Sequence, residues 1–211
     1  MSSSQDVSSR AGGLAWLRDL RCARNTQSLR PKSIVIETVD NPGWFIRMDL
    51  AGTIHANLDI PKQGQVLDTQ DWNVYLARAG VFTCSGGPKS LVNLVYGLAR
   101  IVQGTSLEGV DSHLEALMSW YAGNCDGDWE HSYGVKIEAP ERGGWELEAD
   151  LLDTAHATDA LPRTESRCSD TDWTAVEIRD GVYRAAGGDC SLLELVSGLT
   201  AFIEGGHAGG F

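Results

Sequence analysis

The 211-residue sequence contains no run approaching the roughly 20 apolar residues that a membrane-spanning helix needs. Its first ten residues, MSSSQDVSSR, lack the apolar stretch of a signal peptide. Both absences lead to the expectation of a soluble, cytoplasmic protein with no membrane partner. Cysteine is sparse: Cys22, Cys84, Cys125, Cys168 and Cys190 make an odd count with no CxxC pair. That argues against a secreted disulfide framework and against a zinc ribbon. Basic residues are few, 17 Lys and Arg against 29 Asp and Glu, for a net charge of −12. Phosphates repel such a surface, so nucleic acid is disfavoured as a partner. What remains is an ordinary globular composition, 42% hydrophobic and 22% charged. A chain of this length buries roughly 70% of the surface its unfolded form exposes, so it needs no staple to hold a core.

The chain is one unit written twice, at a constant offset of 101 without a gap. Gly43-Trp44 recurs as Gly144-Trp145, Asp49-Leu50 as Asp150-Leu151, and Thr53 and His55 as Thr154 and His156. Asp71-Trp72 returns as Asp172-Trp173, Gly86-Gly87 as Gly187-Gly188, and Leu91, Leu94 and Leu98 as Leu192, Leu195 and Leu199. The units run over 14–103 and 114–204, joined by a short linker at 104–113; residues 1–13 and 205–211 read as flexible tails.

Each unit reads as α+β, in the order α-β-β-β-β-α: a four-stranded antiparallel sheet flanked by an N-terminal and a C-terminal helix that cover one face. In the second unit, Ser112 and Glu115 have capping-box spacing ahead of Leu114, Leu117, Met118 and Tyr121. Strands are expected over 135–138 and 145–151, the second with Trp145, Leu147, Ala149 and Leu151 on one face. Asp180-Gly181 marks a tight hairpin between 173–179 and 182–186. A closing helix follows the double glycine, with Ser191 and Glu194 at its start and Leu192, Leu195, Val196, Leu199, Phe202 and Ile203 at helical spacing.

Charge separates the two copies. Residues 1–105 hold 11 Lys and Arg against 8 Asp and Glu, net +3, whereas residues 106–211 hold 6 against 21, net −15. On the strand at 145–151, the face opposite the core carries Glu146, Glu148 and Asp150, where the first copy has Phe45, Arg47 and Asp49. Carboxylates on alternate residues of a strand repel one another, which leaves either solvation or a cationic partner to neutralise them. The second copy's first loop, from Asn124 to Gly134, adds Asp126, Asp128, Trp129, Glu130, His131 and Tyr133, none of which the first copy shares. Aromatic anchors among charged groups suit a protein interface. The plainer alternative has Trp129 tucked under the sheet while Asp126 and Asp128 cap a turn.

Chemical readings of this loop fare less well. Asp126, Asp128 and Glu130 mimic the first ligands of a calcium loop, but the sixth position is His131 rather than Gly and the twelfth is Ile137 rather than Glu. A metal-dependent hydrolase would use Asp126, Asp128, His131 and His156, without any HExxH or His pair at ligand spacing. A nucleophilic Cys125 would need His131 brought to it by the fold. His55 and His156 recur in both copies, which suits a structural hydrogen bond.

The segment Trp120 to Asp150, WYAGNCDGDWEHSYGVKIEAPERGGWELEAD, resembles the immunity protein 53 family of bacterial polymorphic toxin systems. The first copy keeps other parts of that pattern in Asp40-Asn41-Pro42-Gly43-Trp44 and Asp49-Leu50-Ala51-Gly52-Thr53; in the second copy Asp153 replaces the Gly of the latter. The resemblance implies a protein that binds and neutralises a cognate toxin inside the producing cell. The expectation is therefore a non-enzymatic binder of a basic toxin, possessing no cofactor and no metal. Its contacts are expected at Asp126, Asp128, Trp129, Glu130, His131, Tyr133, Glu146, Glu148 and Asp150, with the first unit as a scaffold in pseudo-twofold packing. The competing classes are the metal-dependent hydrolase and a non-catalytic adaptor module.

Overall fold

The structure, a computed structural model, describes residues 12–22, 29–104 and 106–205. Of the expected tails, residues 1–11 and 206–211 lie outside this description, as do residues 23–28 of the first copy's opening loop. The first repeat comprises α1 (Gly13–Cys22), β1 (Ser33–Val39), β2 (Gly43–Asp49), β3 (Ile60–Val66), β4 (Trp72–Arg78), β5 (Val81–Gly86) and α2 (Leu91–Gln103). The second comprises α3 (Ser112–Asn124), β6 (Val135–Ala139), β7 (Trp145–Asp150), β8 (Leu161–Arg167), β9 (Trp173–Arg179), β10 (Val182–Gly187) and α4 (Leu192–Ile203). No helix among the described residues is long and apolar enough to cross a membrane.

Each half therefore has five strands rather than the expected four. The additional strands, β3 and β8, are IPKQGQV and LPRTESR, with every residue after the first exposed. They form the two edges of the sheet, where burying almost no face leaves no period-two pattern to read. Pro61 and Pro162 are tolerated because an edge strand needs no partner on its free side.

The ten strands make one continuous antiparallel sheet in the order β3-β4-β5-β2-β1-β6-β7-β10-β9-β8. The halves join by pairing β1 with β6, and Ile36 lies opposite Ile137, its own counterpart at offset 101. Residues on either side pair in reverse, Ile34 with Ala139 and Glu37 with Lys136, which places a pseudo-twofold axis at the isoleucine pair. All four helices pack against one another on one face, over a single core that includes residues of both repeats; the other face is open.

The repeated residues make repeated bonds. Trp44 and Trp145 are fully buried, and their indole N–H groups donate to Pro88 O and Asp189 O, each at 3.0 Å. Thr53 and Thr154 Oγ1 donate to the carbonyls of Leu50 and Leu151. Ser90 and Ser191 Oγ donate to Trp72 O and Trp173 O at 2.9 and 3.0 Å, so Ser191 holds helix to sheet and its hydroxyl does not cap α4. The cap of α3 likewise differs from expectation. Asp111, not Ser112, is its N-cap: Oδ1 accepts from Leu114 N–H, and Oδ2 accepts from Leu14 N–H at 2.8 Å, so one carboxylate serves α3 and α1 together. The Asp180-Gly181 hairpin has φ of 55° and 72°, as a primed two-residue turn requires.

The odd cysteine count argues against a disulfide framework, and one bond is nonetheless present, between Cys22 and Cys190 across 168 residues of sequence. No local spacing announces this pair, because the fold alone brings the end of α1 to the start of α4. Cys84 is buried, Cys125 half-buried and Cys168 exposed, all three free.

Candidate functional site

The loop after α3 is a closed structure. Asp126 Oδ1 accepts from the N–H groups of Asp128 and Trp129, each at 3.0 Å, and this starts a 3-10 turn at Trp129–His131. These two donors hold the Asp126 carboxyl below its ordinary value. Glu130 turns inward, 7% exposed, and its carboxylate accepts from Asp126 and Gly127 N–H. Trp129 is 4% exposed; its Nε1 donates to Leu152 O at 2.8 Å, and its ring meets Trp120, Tyr121 and Tyr133 at centroid distances of 5.8, 6.1 and 6.0 Å. Trp129 is thus a plug that fastens the loop to α3 and to the turn after β7. Trp129 and Glu130 build the loop from within, leaving Asp126, Asp128 and His131 exposed on it and Tyr133 half-exposed.

Tyr133 lies beside Asp153, whose charge raises the pKa of its hydroxyl. Asp153 has φ of 59°, and its counterpart Gly52 has φ of 82°, so the second repeat sets a carboxylate where the first uses glycine. Asp150 Oδ2 accepts from Gly134 N–H at 3.0 Å, while burial pushes its pKa up. An open depression of about 270 Å³ separates the loop from the sheet face, lined by His131, Tyr133 and Asp150 from the second repeat and Glu37 and Thr38 from the first. Those two first-repeat residues were invisible in the sequence, because only the β1–β6 register places them there.

On the open face, the β7 carboxylates have cations of their own. Glu148 lies opposite Lys136 on one side and Arg184 on the other, with Arg184 Nε 3.4 Å from Glu148 Oε1. Lys136 also contacts Glu138, and Arg142 bonds Glu146. Read across strands, the row runs Glu177, Arg184, Glu148, Lys136, Glu37, alternating in sign. The repulsion anticipated along β7 is relieved by its neighbours. All six Lys and Arg of the second half lie between residues 136 and 184. Against those six, residues 136–184 hold 12 Asp and Glu, so the negative charge is spread over the half; the segments 125–134 and 151–160, which meet at one end of the sheet, are free of Lys and Arg. Together these hold Asp126, Asp128, Glu130, Asp153 and Asp159.

The residues of the hydrolase alternative are not gathered at one point. His156 sits with Nδ1 2.9 Å from Asp159 Oδ2, Nε2 3.3 Å from Ile203 O, and its ring against Phe202. Cys125 Sγ donates to Tyr121 O, and burial pushes its thiol pKa up, the reverse of an activated nucleophile. Among the described residues, no group of three or more His, Cys, Asp or Glu is placed to hold a metal ion.

The architecture is thus a duplicated α+β module whose second copy presents an acidic end built on the GDWEH loop, fastened from within by Trp129. The family model of immunity protein 53 matches it twice, over residues 14–103 and 114–204, and the chain belongs to that family. No curated protein and no solved structure matches the chain.

Proposed function

We propose that this protein binds and neutralises a cognate toxin, without catalysis, through the acidic end of its second repeat. The contact groups in this reading are Asp126, Asp128, His131, Tyr133 and Asp153, with Glu146, Glu148 and Asp150 at the rim and Trp129 and Glu130 holding the loop in shape. Family membership supports an immunity role. The observation that carries the choice of surface is the segregation of charge: a cation-free acidic end on one copy, absent from the copy that lacks the loop. Such an end steers a basic partner into encounter and rejects acidic ones. In the same reading, the units 14–103 and 114–204, with their 104–113 link, act as one body whose first copy is scaffold.

The test is binding to, and growth protection against, a candidate cognate toxin domain. Asp128→Lys combined with Asp153→Lys is expected to weaken binding by about 100-fold, the scale of like charges forced together at an interface. Arg47→Glu, on the first repeat's open face, is expected to leave it unchanged. Full affinity in the double variant overturns the choice of surface.

A further inference from the structure

The two repeats serve as internal controls for each other, and one difference between them opens a cavity. In the first repeat Tyr75 of β4 reaches under the sheet edge to α2: its hydroxyl donates to Asn93 O at 3.1 Å and its ring packs near Phe82. Gly97 of α2 makes the space, since a Cβ there would stand 2.2 Å from the Tyr75 hydroxyl. In the second repeat the position of Tyr75 is Val176, and Cys84, which lies opposite Tyr75 on the neighbouring strand, becomes Ala185; Tyr96 of α2 becomes Ser197. A cleft of about 620 Å³ lies there between β8–β9 and α4, floored by Val176, Tyr183, Ala185 and Leu195.

One retained residue and two acquired ones qualify that cleft as more than lost packing. The glycine is kept, as Gly198, although it weakens a helix interior and no longer has a tyrosine to accommodate. At the same time both charged groups of the lining are acquisitions of the second copy: Glu194 stands where the first has Asn93, and Glu165 where it has Gly64. Both glutamates are exposed at the mouth, above an apolar floor.

We propose that this cleft receives an aromatic side chain of a protein partner, carried on a segment with Lys or Arg beside it. Tyr75 is the template for the occupant: the first repeat supplies the ring from within, and the second admits it from outside. The apolar floor takes the ring and Glu194 pairs with a flanking cation, while Glu165 at the mouth is already bonded by Arg167 at 3.2 Å. Its volume falls in the range of small-ligand sites, though the cleft is partly open to solvent. The inference rests on the toxin-binding reading only for the identity of the partner, and its chemistry is testable without the toxin.

The experiment is an amide-resolved NMR titration of the full chain with three short capped peptides, Lys-Tyr-Lys, Lys-Leu-Lys and Glu-Tyr-Glu. The expected result is saturable shifts at Val176, Ala185, Leu195 and Ser197 with Lys-Tyr-Lys, and binding at least about tenfold weaker for the other two. Val176→Tyr, which restores the first repeat's own filling, is expected to abolish the shifts while the thermal midpoint holds or rises. Should that variant fail to fold, Glu194→Lys at the exposed mouth is expected to weaken Lys-Tyr-Lys by several-fold. Equal binding of the three peptides, undiminished binding in Val176→Tyr, or no effect of Glu194→Lys overturns the proposal. Shifts that track protein concentration instead of peptide assign the cleft to a second copy of the chain and overturn it as well. A toxin that fails to bind while Lys-Tyr-Lys binds as described would strike only the identity of the partner.

Discussion

Tyr121, in the last turn of the second repeat's opening helix, packs edge-on against Trp44 of the first repeat, with ring centroids 5.0 Å apart. Its hydroxyl accepts from Gly43 N–H at 3.1 Å and donates to Val39 O at 3.2 Å, closing both ends of the β1–β2 turn. The reciprocal helix does the same job with other chemistry: Arg21 of α1 reaches the β6–β7 turn, donating to Pro140 O at 2.8 Å and pairing with Asp189. Each repeat is thus closed by a helix of the other.

Tyr121→Phe is expected to leave the Gly43 N–H buried without an acceptor, at a cost of about 1–3 kcal/mol. Tyr121→Ala, which also removes the packed ring, is expected to cost about 3–5 kcal/mol. Denaturant unfolding followed by fluorescence and by circular dichroism checks both. A single coincident transition is expected, because one core serves both repeats; two separate transitions would show that the halves unfold independently.

Trp129 separates a structural from a surface role. Trp129→Phe keeps most of the buried ring and loses the bond to Leu152 O, at about 1 kcal/mol. Trp129→Ala empties the plug, at about 3–5 kcal/mol. The expected signature is a stability loss in proportion to the toxin-affinity loss, measured by chemical denaturation beside calorimetric binding. Full stability with lost affinity would return Trp129 to the surface.

The conformation at Asp153 favours glycine, and the charge there acts on Tyr133. Asp153→Gly is expected to leave the fold at least as stable and to lower the Tyr133 pKa toward its ordinary value, visible in a spectrophotometric tyrosine titration. Toxin affinity is expected to fall in the same variant, separating the carboxylate's use from its cost.

Asp150 gives a pH signature. Its folded-state pKa is raised by burial, so its stabilising contribution is present at low pH and is lost as pH rises through that raised value. Asp150→Asn keeps an acceptor for Gly134 N–H and removes the charge. The variant is expected to be more stable than the parent at neutral pH, with the gap closing as pH falls through the aspartate range. A gap that widens on acidification would reverse the assignment.

Reduction of Cys22–Cys190 is expected to lower stability by about 2–5 kcal/mol, since the bond closes a very long loop. Thermal melts with and without reductant, with Cys22→Ser as control, measure it. The control is expected to melt where the reduced parent does.

The helices and the first strand pair of each repeat were legible because each presents one apolar face, as Trp145, Leu147 and Ala149 do on β7, and the hairpin of β9 and β10 because Asp180-Gly181 marks its turn. β3 and β8 were not, because an exposed edge strand writes no periodicity. The loop residues of the candidate site were found by contrast between the copies. Which of them turn inward was not, because burial of Glu130 depends on the backbone donors of Asp126 and Gly127, which no sequence pattern marks. The balance of charge on β7 was likewise hidden, since Lys136 and Arg184 come beside Glu148 only through strand register.

A true homodimer built on the same axis would carry every substitution on both sides, and a change useful once would have to be tolerated twice. Linking the copies at 104–113 removes that constraint. Cys190 has found Cys22, whereas the mirror positions, Lys89 and Gly123, carry no thiol at all. Duplication within one chain has let the two copies keep a shared geometry while their sequences diverge, each still holding the other's edge strand through the β1–β6 pairing.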